Sequence, residues 1–351
     1  MRNLAAPESD RRLGRKLTLV GVHPDCLTLH RRGLVMQTVR DLGADVDSRT
    51  FVVVCAARSV APQRVANERR AILAWLRTVP PASRLGLEAT GVHHELLADL
   101  AHRAGLQVFV LNARDVRRYA QALGRRGKTD RVDAEVIARY VAHEHSELHA
   151  YLPPSKEQRA LSRLIKRRAK LVAIKGALTQ SLRGVPGVRQ ELHQVSARLE
   201  RLIAQVEALM QCALQQLPAA HQAAQRIATV PGYGPLGSTC LGYTFTRVPY
   251  LNSDAVIAHT GFDPRPADSG QKRGRRRLSK RGPGELRRVL FNCAMAAAKT
   301  TLWRPYYQAQ RRKGLSSTAA LVILARKMTR VAFAVYQRNQ PFDATRLRFS
   351  A

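Results

Sequence analysis

The sequence predicts an α/β domain followed by a mostly helical remainder, and three patterns predict it. From Gly43 to about Val141, short apolar runs of strand length alternate with amphipathic helical stretches. From about Ser155 to Leu217, leucines and other aliphatic residues recur at steps of three and four. From about Ile227 onward, stretches rich in Leu, Val, Ala and Met flank a Gly-punctuated, strongly basic loop. A chain of 351 residues is long enough for two or three such units.

Residues 1–36 are expected to form a disordered extension, because they are mixed and basic and carry no sustained apolar period. Met36 stands just before the ordered pattern, as it would if an upstream start codon had added the first 35 residues. Within the extension, Leu19-Val20-Gly21-Val22-His23 looks like a strand ending in a ligand, but the residues after His23 do not continue the pattern. Residues 37–150 form the predicted α/β domain. Its strands are expected at 41–46, 50–56, 84–88 and 107–111, with helices near 68–76 and 93–104, which gives a mixed sheet.

Residues 151–222 are predicted to be a helical hairpin or coiled coil. Leu161, Leu164, Leu171, Ile174, Leu178 and Leu182 share a helical face, and Gly184-Val185-Pro186-Gly187 breaks it. Leu192, Val195, Leu199, Leu202, Val206 and Leu209 then form a heptad seam. A helix packed on its own domain's core would read the same way, and both readings stay open. Residues 223–345 form the helical remainder, with helices expected near 284–299 and 316–337. The turn Val230-Pro231-Gly232-Tyr233-Gly234-Pro235 lies between two helices, where backbone N–H groups can meet a phosphate.

Charge bounds the partners. Lys and Arg number 59 against 25 Asp and Glu, a net charge of +34, which a polyanion would offset. No run of eighteen apolar residues is present, and the amino terminus lacks a secretory pattern, so neither a membrane partner nor export is expected. Cys26, Cys55, Cys212, Cys240 and Cys293 are scattered without a C-x-x-C pair, which suits a reducing cytoplasm. His143, His145 and His149 lack the partners that would complete a zinc motif and read as a polar helix end.

Four acids carry the chemistry. Asp45 and Glu88 each close a short apolar stretch, as residues at strand tips do. Asp130 and Asp133, in Lys128-Thr129-Asp130-Arg131-Val132-Asp133-Ala134, are one helical turn apart and share a face. Converging carboxylates repel unless cations sit between them, and hard oxygen donors suit Mg²⁺ or Mn²⁺. Strand-tip acids with a helical acid pair are the layout of RNase H-like nuclease folds. The run from Ser269 to Gly282 holds Lys272, Arg273, Arg275, Arg276, Arg277, Lys280 and Arg281, cations able to neutralise phosphates, although by itself it reads as a solvated basic loop.

Together these motifs resemble the DEDD insertion-sequence recombinases, a family that includes bridge-RNA-guided transposases of bacterial insertion sequences and Piv-type invertases. The resemblance covers about residues 37–345. It rests on Gly43–Val46, Glu88-Ala89-Thr90-Gly91, Lys128–Ala134, Val230–Gly234, Gly261-Phe262-Asp263-Pro264, Ser269-Gly270 and Ser279-Lys280-Arg281-Gly282, in that order. It implies a RuvC-like domain, a coiled-coil segment and a carboxy-terminal transposase domain carrying a nucleophilic serine. By carry-over, Asp45, Glu88, Asp130 and Asp133 would bind Mg²⁺ or Mn²⁺, and Ser269 would be the nucleophile. Ser279 would instead cap the start of the following helix. The implied partners are donor and target DNA, a noncoding bridge RNA and further copies of the chain, as a dimer or tetramer. The implied setting is the bacterial cytoplasm, at the nucleoid. Two other readings remain. A junction-resolvase-like nuclease would use the acids with water and leave Ser269 without a purpose, and a non-enzymatic binder would leave the spacing of the acids unexplained.

Overall fold

The computed structural model describes residues 39–347 except 58–59, 90, 126, 128, 266–268, 270–273 and 275, so the expected extension lies outside the described residues. The chain divides between Tyr151 and Leu152 into two compact units. The first holds strands β1 (Asp41–Val46), β2 (Thr50–Cys55), β3 (Gln63–Ala66), β4 (Arg84–Glu88) and β5 (Gln107–Leu111). Its helices are α1 (Arg69–Leu76), α2 (His94–Arg103), α3 (Ala113–Ala122) and α4 (Asp130–Glu144). The strands form one five-stranded mixed sheet in the order β3-β2-β1-β4-β5. β1 runs antiparallel to β2 and parallel to β4, and β5 is parallel to β4.

Four strands stand where the apolar alternation predicts them. β3 does not follow from that pattern, because its Gln-Arg-Val-Ala is exposed or half-buried on the sheet edge. α3 was equally illegible, as Val116 is its one buried residue.

Period-two alternation gives the sheet two different faces. Leu42, Ala44, Val46, Phe51, Val53, Leu85 and Leu87 pack with Ile72 and Trp75 of α1 and Leu97 and Leu100 of α2. Phe51 meets Trp75 edge to face at 5.5 Å. The opposite face carries Gly43 and Gly86, and α4 lies directly on it. A Cβ on Gly43 would stand 2.2 Å from the Ala138 nitrogen and 2.3 Å from the Ala134 oxygen. One on Gly86 would meet Val141 at 2.5 Å and Ile137 at 2.8 Å. These contacts are closer than any side chain permits, so both strands need glycine there.

The second unit opens with a helical hairpin, α5 (Lys156–Ser181) and α6 (Arg189–Gln215). Ser155 and Gln158 form a capping box at its start, and Gly184 and Gly187 turn the chain with φ of 81° and 78°. Arg168 pairs with Glu207 at 2.8 Å and Lys175 pairs with Glu200, so residue numbers rise along α5 as they fall along α6. The helices are therefore antiparallel.

The expected seam is split. Ile203, Met210 and Leu214 are buried, with Leu192, Leu199 and Val206 half-buried beside them. Val195, Leu202 and Leu209 face outward, exposed by 42%, 42% and 56%. The sequence pattern merged two stripes that share their flanking positions.

Beyond the hairpin lie α7 (Pro218–Ala228), α8 (Pro235–Arg247), α9 (Ser253–Thr260), the two-residue strands β6 (Pro264–Arg265) and β7 (Arg277–Leu278), α10 (Gly284–Ala297), α11 (Arg304–Arg312) and α12 (Ser317–Arg338). The hairpin's base shares a core with α7 and α8 through Leu161, Met210, Leu214, Ala220 and Ala224. The turn at Val230–Pro235 is tied into a second core. Trp303 Nε1 donates to the Pro231 carbonyl at 2.8 Å, Val230 and Tyr233 are buried, and Gly232 (φ 102°) abuts Ala297. Gly234 and Pro235 are exposed and Pro231 and Gly232 half-buried, so the turn is most accessible at its far end. No helix among the described residues is long and apolar enough to cross a membrane.

The glycines give a direct test of this packing. Gly43→Ala should lower the melting temperature sharply, because its methyl group collides with helix backbone and costs at least about 1–3 kcal/mol. Gly176→Ala is the control, since a Cβ there meets nothing within 4 Å inside α5. It should raise stability by up to about 1 kcal/mol in thermal unfolding.

Candidate active site

The register of the sheet sets the acids in place. Arg64 of β3 pairs with Val52 of β2, and Val52 pairs with Asp45 of β1. On the other side, Glu88 of β4 pairs with Leu111 of β5. The parallel pair Ala44↔Leu87 puts Asp45 and Glu88 next in line, side by side at the ends of adjacent strands. Residues directly opposite one another project to the same face. Asp45 also lies two positions beyond Gly43, and Glu88 two beyond Gly86, so both acids share the face on which α4 rests.

α4 brings the second pair. Thr129 caps it by accepting from the Val132 N–H at 3.2 Å, and Asp130 and Asp133 occupy its first turn, where negative charge complements the helix N-terminus. Ala134 packs on Val52 and Val54 and its carbonyl abuts Gly43, which fixes this first turn over β1 and β2. Asp45, Glu88 and Asp133 are half-buried, whereas Asp130 is exposed. His143 and His149 lie toward the far end of α4 or beyond it.

The structure thus brings all four acids toward one end of one sheet face without closing them into a chelate. Among the described residues, no three His, Cys, Asp or Glu side chains stand close enough to share a metal ion. Asp130 instead meets a guanidinium, with Arg64 NH2 donating to its Oδ2 at 3.0 Å. The donor set is all carboxylate, which fits a hard divalent cation in chemistry. Gathering it would require Asp130 to leave Arg64.

Ser269 belongs to the second unit. It is exposed, on the connection between β6 and β7, which pair as Pro264↔Leu278 and Arg265↔Arg277. Arg276, Arg277, Lys280 and Arg281 are exposed near the base of that connection. Lys272, Arg273 and Arg275 lie outside the described residues.

The expectation that Ser279 caps the next helix is overturned. α10 starts at Gly284 with Pro283 in the cap position, and Ser279 is only 2% exposed. Its hydroxyl donates to the Asp263 carboxylate, and its N–H donates to the Asp263 carbonyl at 2.9 Å. Lys280, in the left-handed region at φ 53°, donates its N–H to the Gly261 carbonyl at 3.1 Å. Gly282 lies so close to the His259 carbonyl that a Cβ would stand 1.6 Å away. Ser279-Lys280-Arg281-Gly282 is therefore a fastener that closes the foot of the Ser269 loop. Burial lowers the pKa of the neighbouring His259, favouring its neutral form.

Sequence reasoning missed Arg64, because β3 was not legible, and Asp263, whose partner lies sixteen positions away. The Gly261–Pro264 phrase carried a signal, but no pattern in it names Ser279 as the acceptor's mate.

Comparison with known proteins bears on both halves. A family model for DEDD transposases of the IS110 type matches residues 42–185, and a model described as the transposase IS116/IS110/IS902 family matches residues 224–308. The pilin gene-inverting protein of Moraxella bovis is 26% identical over 73% of this chain and 81% of its own length. The transposase for insertion sequence element IS1328 of Yersinia enterocolitica is 25% identical over 88% of this chain and 100% of its own length. An insertion element IS116 protein of Streptomyces clavuligerus is 30% identical over 34% of this chain and 30% of its own.

The fastener is testable on its own. Asp263→Ala would leave the buried Ser279 hydroxyl without its acceptor and should cost about 1–3 kcal/mol. Limited proteolysis should cut the β6–β7 connection faster in this variant, and Ser279→Ala should show the same change more mildly.

Proposed function

Because the chain belongs to the family of IS110-type DEDD transposases, which are DNA recombination enzymes, we propose that it cuts and rejoins DNA with Asp45, Glu88, Asp130 and Asp133 as ligands of Mg²⁺ or Mn²⁺ and Ser269 as the nucleophile. The observation that carries the proposal is the placement of all four acids toward one end of a single sheet face, under the first turn of α4. A five-stranded mixed sheet with acids on two adjacent strand ends and a helix across them supports a RuvC-like reading of the first unit.

Bound at these carboxylates, a divalent cation would polarise a phosphodiester and offset the charge that develops in displacement. The chain's own residues do the rest. Ser269 is exposed on a loop whose foot is fastened, so its hydroxyl is accessible to a strand. Arg276, Arg277, Lys280 and Arg281 flank that loop and would hold the phosphate beside it. A serine–phosphate ester conserves the energy of the broken bond, so strands rejoin without ATP.

The net charge of +34 exceeds what a few phosphate contacts need and supports a noncoding bridge RNA as a further partner. The outward stripe Val195, Leu202 and Leu209 supports a homo-oligomer, since seven-residue spacing suits a second helix.

Ser269→Ala should bind DNA and metal normally yet yield no covalent protein–DNA adduct on denaturing gels of labelled DNA. Metal-dependent cleavage by wild type without any adduct would assign a hydrolytic, junction-resolvase-like nuclease instead. Asp130→Asn with Asp133→Asn should abolish strand exchange while the fold remains, and full recombination by that variant would remove the acids from the mechanism.

Leu202→Lys with Leu209→Lys changes exposed positions only, so the fold should survive while light scattering reports smaller species. An unchanged mass would reject the stripe as an interface.

A further inference from the structure

We propose that Arg64 is a substrate-positioning residue: its guanidinium holds Asp130 until a divalent cation takes that carboxylate, and it then binds a phosphate of the DNA strand. The inference rests on the reading of the four acids as a metal site.

Arg64 stands in the same cross-strand row as Val52 and Asp45, and therefore on the face that carries the acids. It lies on the edge strand, beside an open groove of about 490 Å³ lined by Val52, Gln63, Thr129, Asp130 and Arg131. A strand whose scissile phosphate met the acids could lay a neighbouring phosphate in that groove.

The contacts of Arg64 are suited to exchange. One terminal nitrogen reaches Asp130 Oδ2 at 3.0 Å, and the other reaches Thr50 Oγ1 at 3.3 Å. Both partners of the ion pair are well exposed, at 62% and 59% of their side chains. Water screens such a pair, so it is easily exchanged. A carboxylate gains more from a divalent ion than from an exposed guanidinium, and a guanidinium gains a bidentate partner in phosphate. The trade leaves each charge better matched, and it delivers Asp130 to the metal as the strand arrives. Thr50 keeps the side chain directed across β2 meanwhile.

A purely structural role predicts something different. If the pair only pins the start of α4 to the sheet edge, losing Arg64 would lower the melting temperature and leave metal affinity unchanged or weaker. The two roles therefore separate in a measurement on the full chain. Mn²⁺ is titrated into wild type, Arg64→Ala, Arg64→Lys and Asp130→Asn and followed by electron paramagnetic resonance. Binding to a duplex DNA is then measured with Mn²⁺ over a range of salt.

Arg64→Ala should bind Mn²⁺ about two- to fivefold more tightly, because its competitor for Asp130 is gone. The same variant should lose about one unit of salt slope in DNA binding, and Arg64→Lys should recover it. An unchanged or weakened Mn²⁺ affinity in Arg64→Ala, or an unchanged slope, would overturn the inference while the acid site stands. Wild type that binds no Mn²⁺, or binds it no better than Asp130→Asn, would overturn the metal-site reading and this inference with it.

Discussion

The candidate acid site depends on one close contact, the seating of α4 on two glycines of the sheet. Gly43 and Gly86 remove the layer of side chains that normally separates a helix from a sheet. At Gly43 the helix backbone meets the strand backbone, and at Gly86 the Val141 and Ile137 side chains fill the space, so the height of α4 over β1 and β4 is fixed by hard contact. Asp45 and Glu88 are two positions farther along the same strands, on the same face. Asp130 and Asp133 are in the turn that precedes Ala134, the residue pressed on Gly43. Any side chain at either glycine would lift α4 and raise its two acids away from the strand pair. The glycines therefore control the distance between the two halves of the candidate site, although neither carries a functional group.

Much of this arrangement was legible in the sequence, and the failures have physical causes. Strands at Asp41–Val46, Arg84–Glu88 and Gln107–Leu111 were readable because each is apolar and bounded by polar residues. The shared face of Asp130 and Asp133 followed from their spacing of three residues, one helical turn. β3 was unreadable because an edge strand needs no buried face, and α3 because its apolar side, Val116 with Tyr119 and Ala120, is short and set among charged residues. The seam of α6 misled for a different reason. Leu192, Leu199 and Val206 flank both the inward and the outward stripe, so a heptad count cannot tell one from two. That the acids stand apart, with Asp130 on Arg64, was also out of reach, because a sequence gives a ligand set but not its state of charge compensation.

The two serines near the basic run show how burial sorts chemically identical groups. Ser279 is closed in and its hydroxyl proton is committed to Asp263, so it is a poor candidate for attack on a strand. Ser269 is exposed on the connection that Ser279 helps to fasten. A nucleophile on a loop needs a rigid base, because an error of an ångström at the reacting atom is costly in rate. Lys280 in a strained conformation and Gly282 against the His259 carbonyl are the signs of a tightly determined base. The phrase that resembles a phosphate-binding run is thus half structural, with its cations exposed, its serine buried and its half-buried glycine packed into the fastening.

Electrostatics binds these observations together. A chain with 59 cations and 25 acids repels itself overall, and yet its scarce acids include four gathered toward one place. Carboxylates brought together destabilise one another, and the N-terminus of α4 beside Asp130 and Asp133 and the Arg64 guanidinium at the edge offset part of that cost. Neither offset is strong, since one is a partial charge and the other an exposed pair. On the proposed reading, an acidic site in a strongly positive chain would attract a small divalent cation while basic surface would attract the polyanion. The two ligands would then reinforce each other, because a cation at the acids would remove the repulsion a phosphate would otherwise meet there. On the proposed reading metal and DNA would bind with positive coupling, with Arg64 set beside Asp130 to exchange one partner for the other.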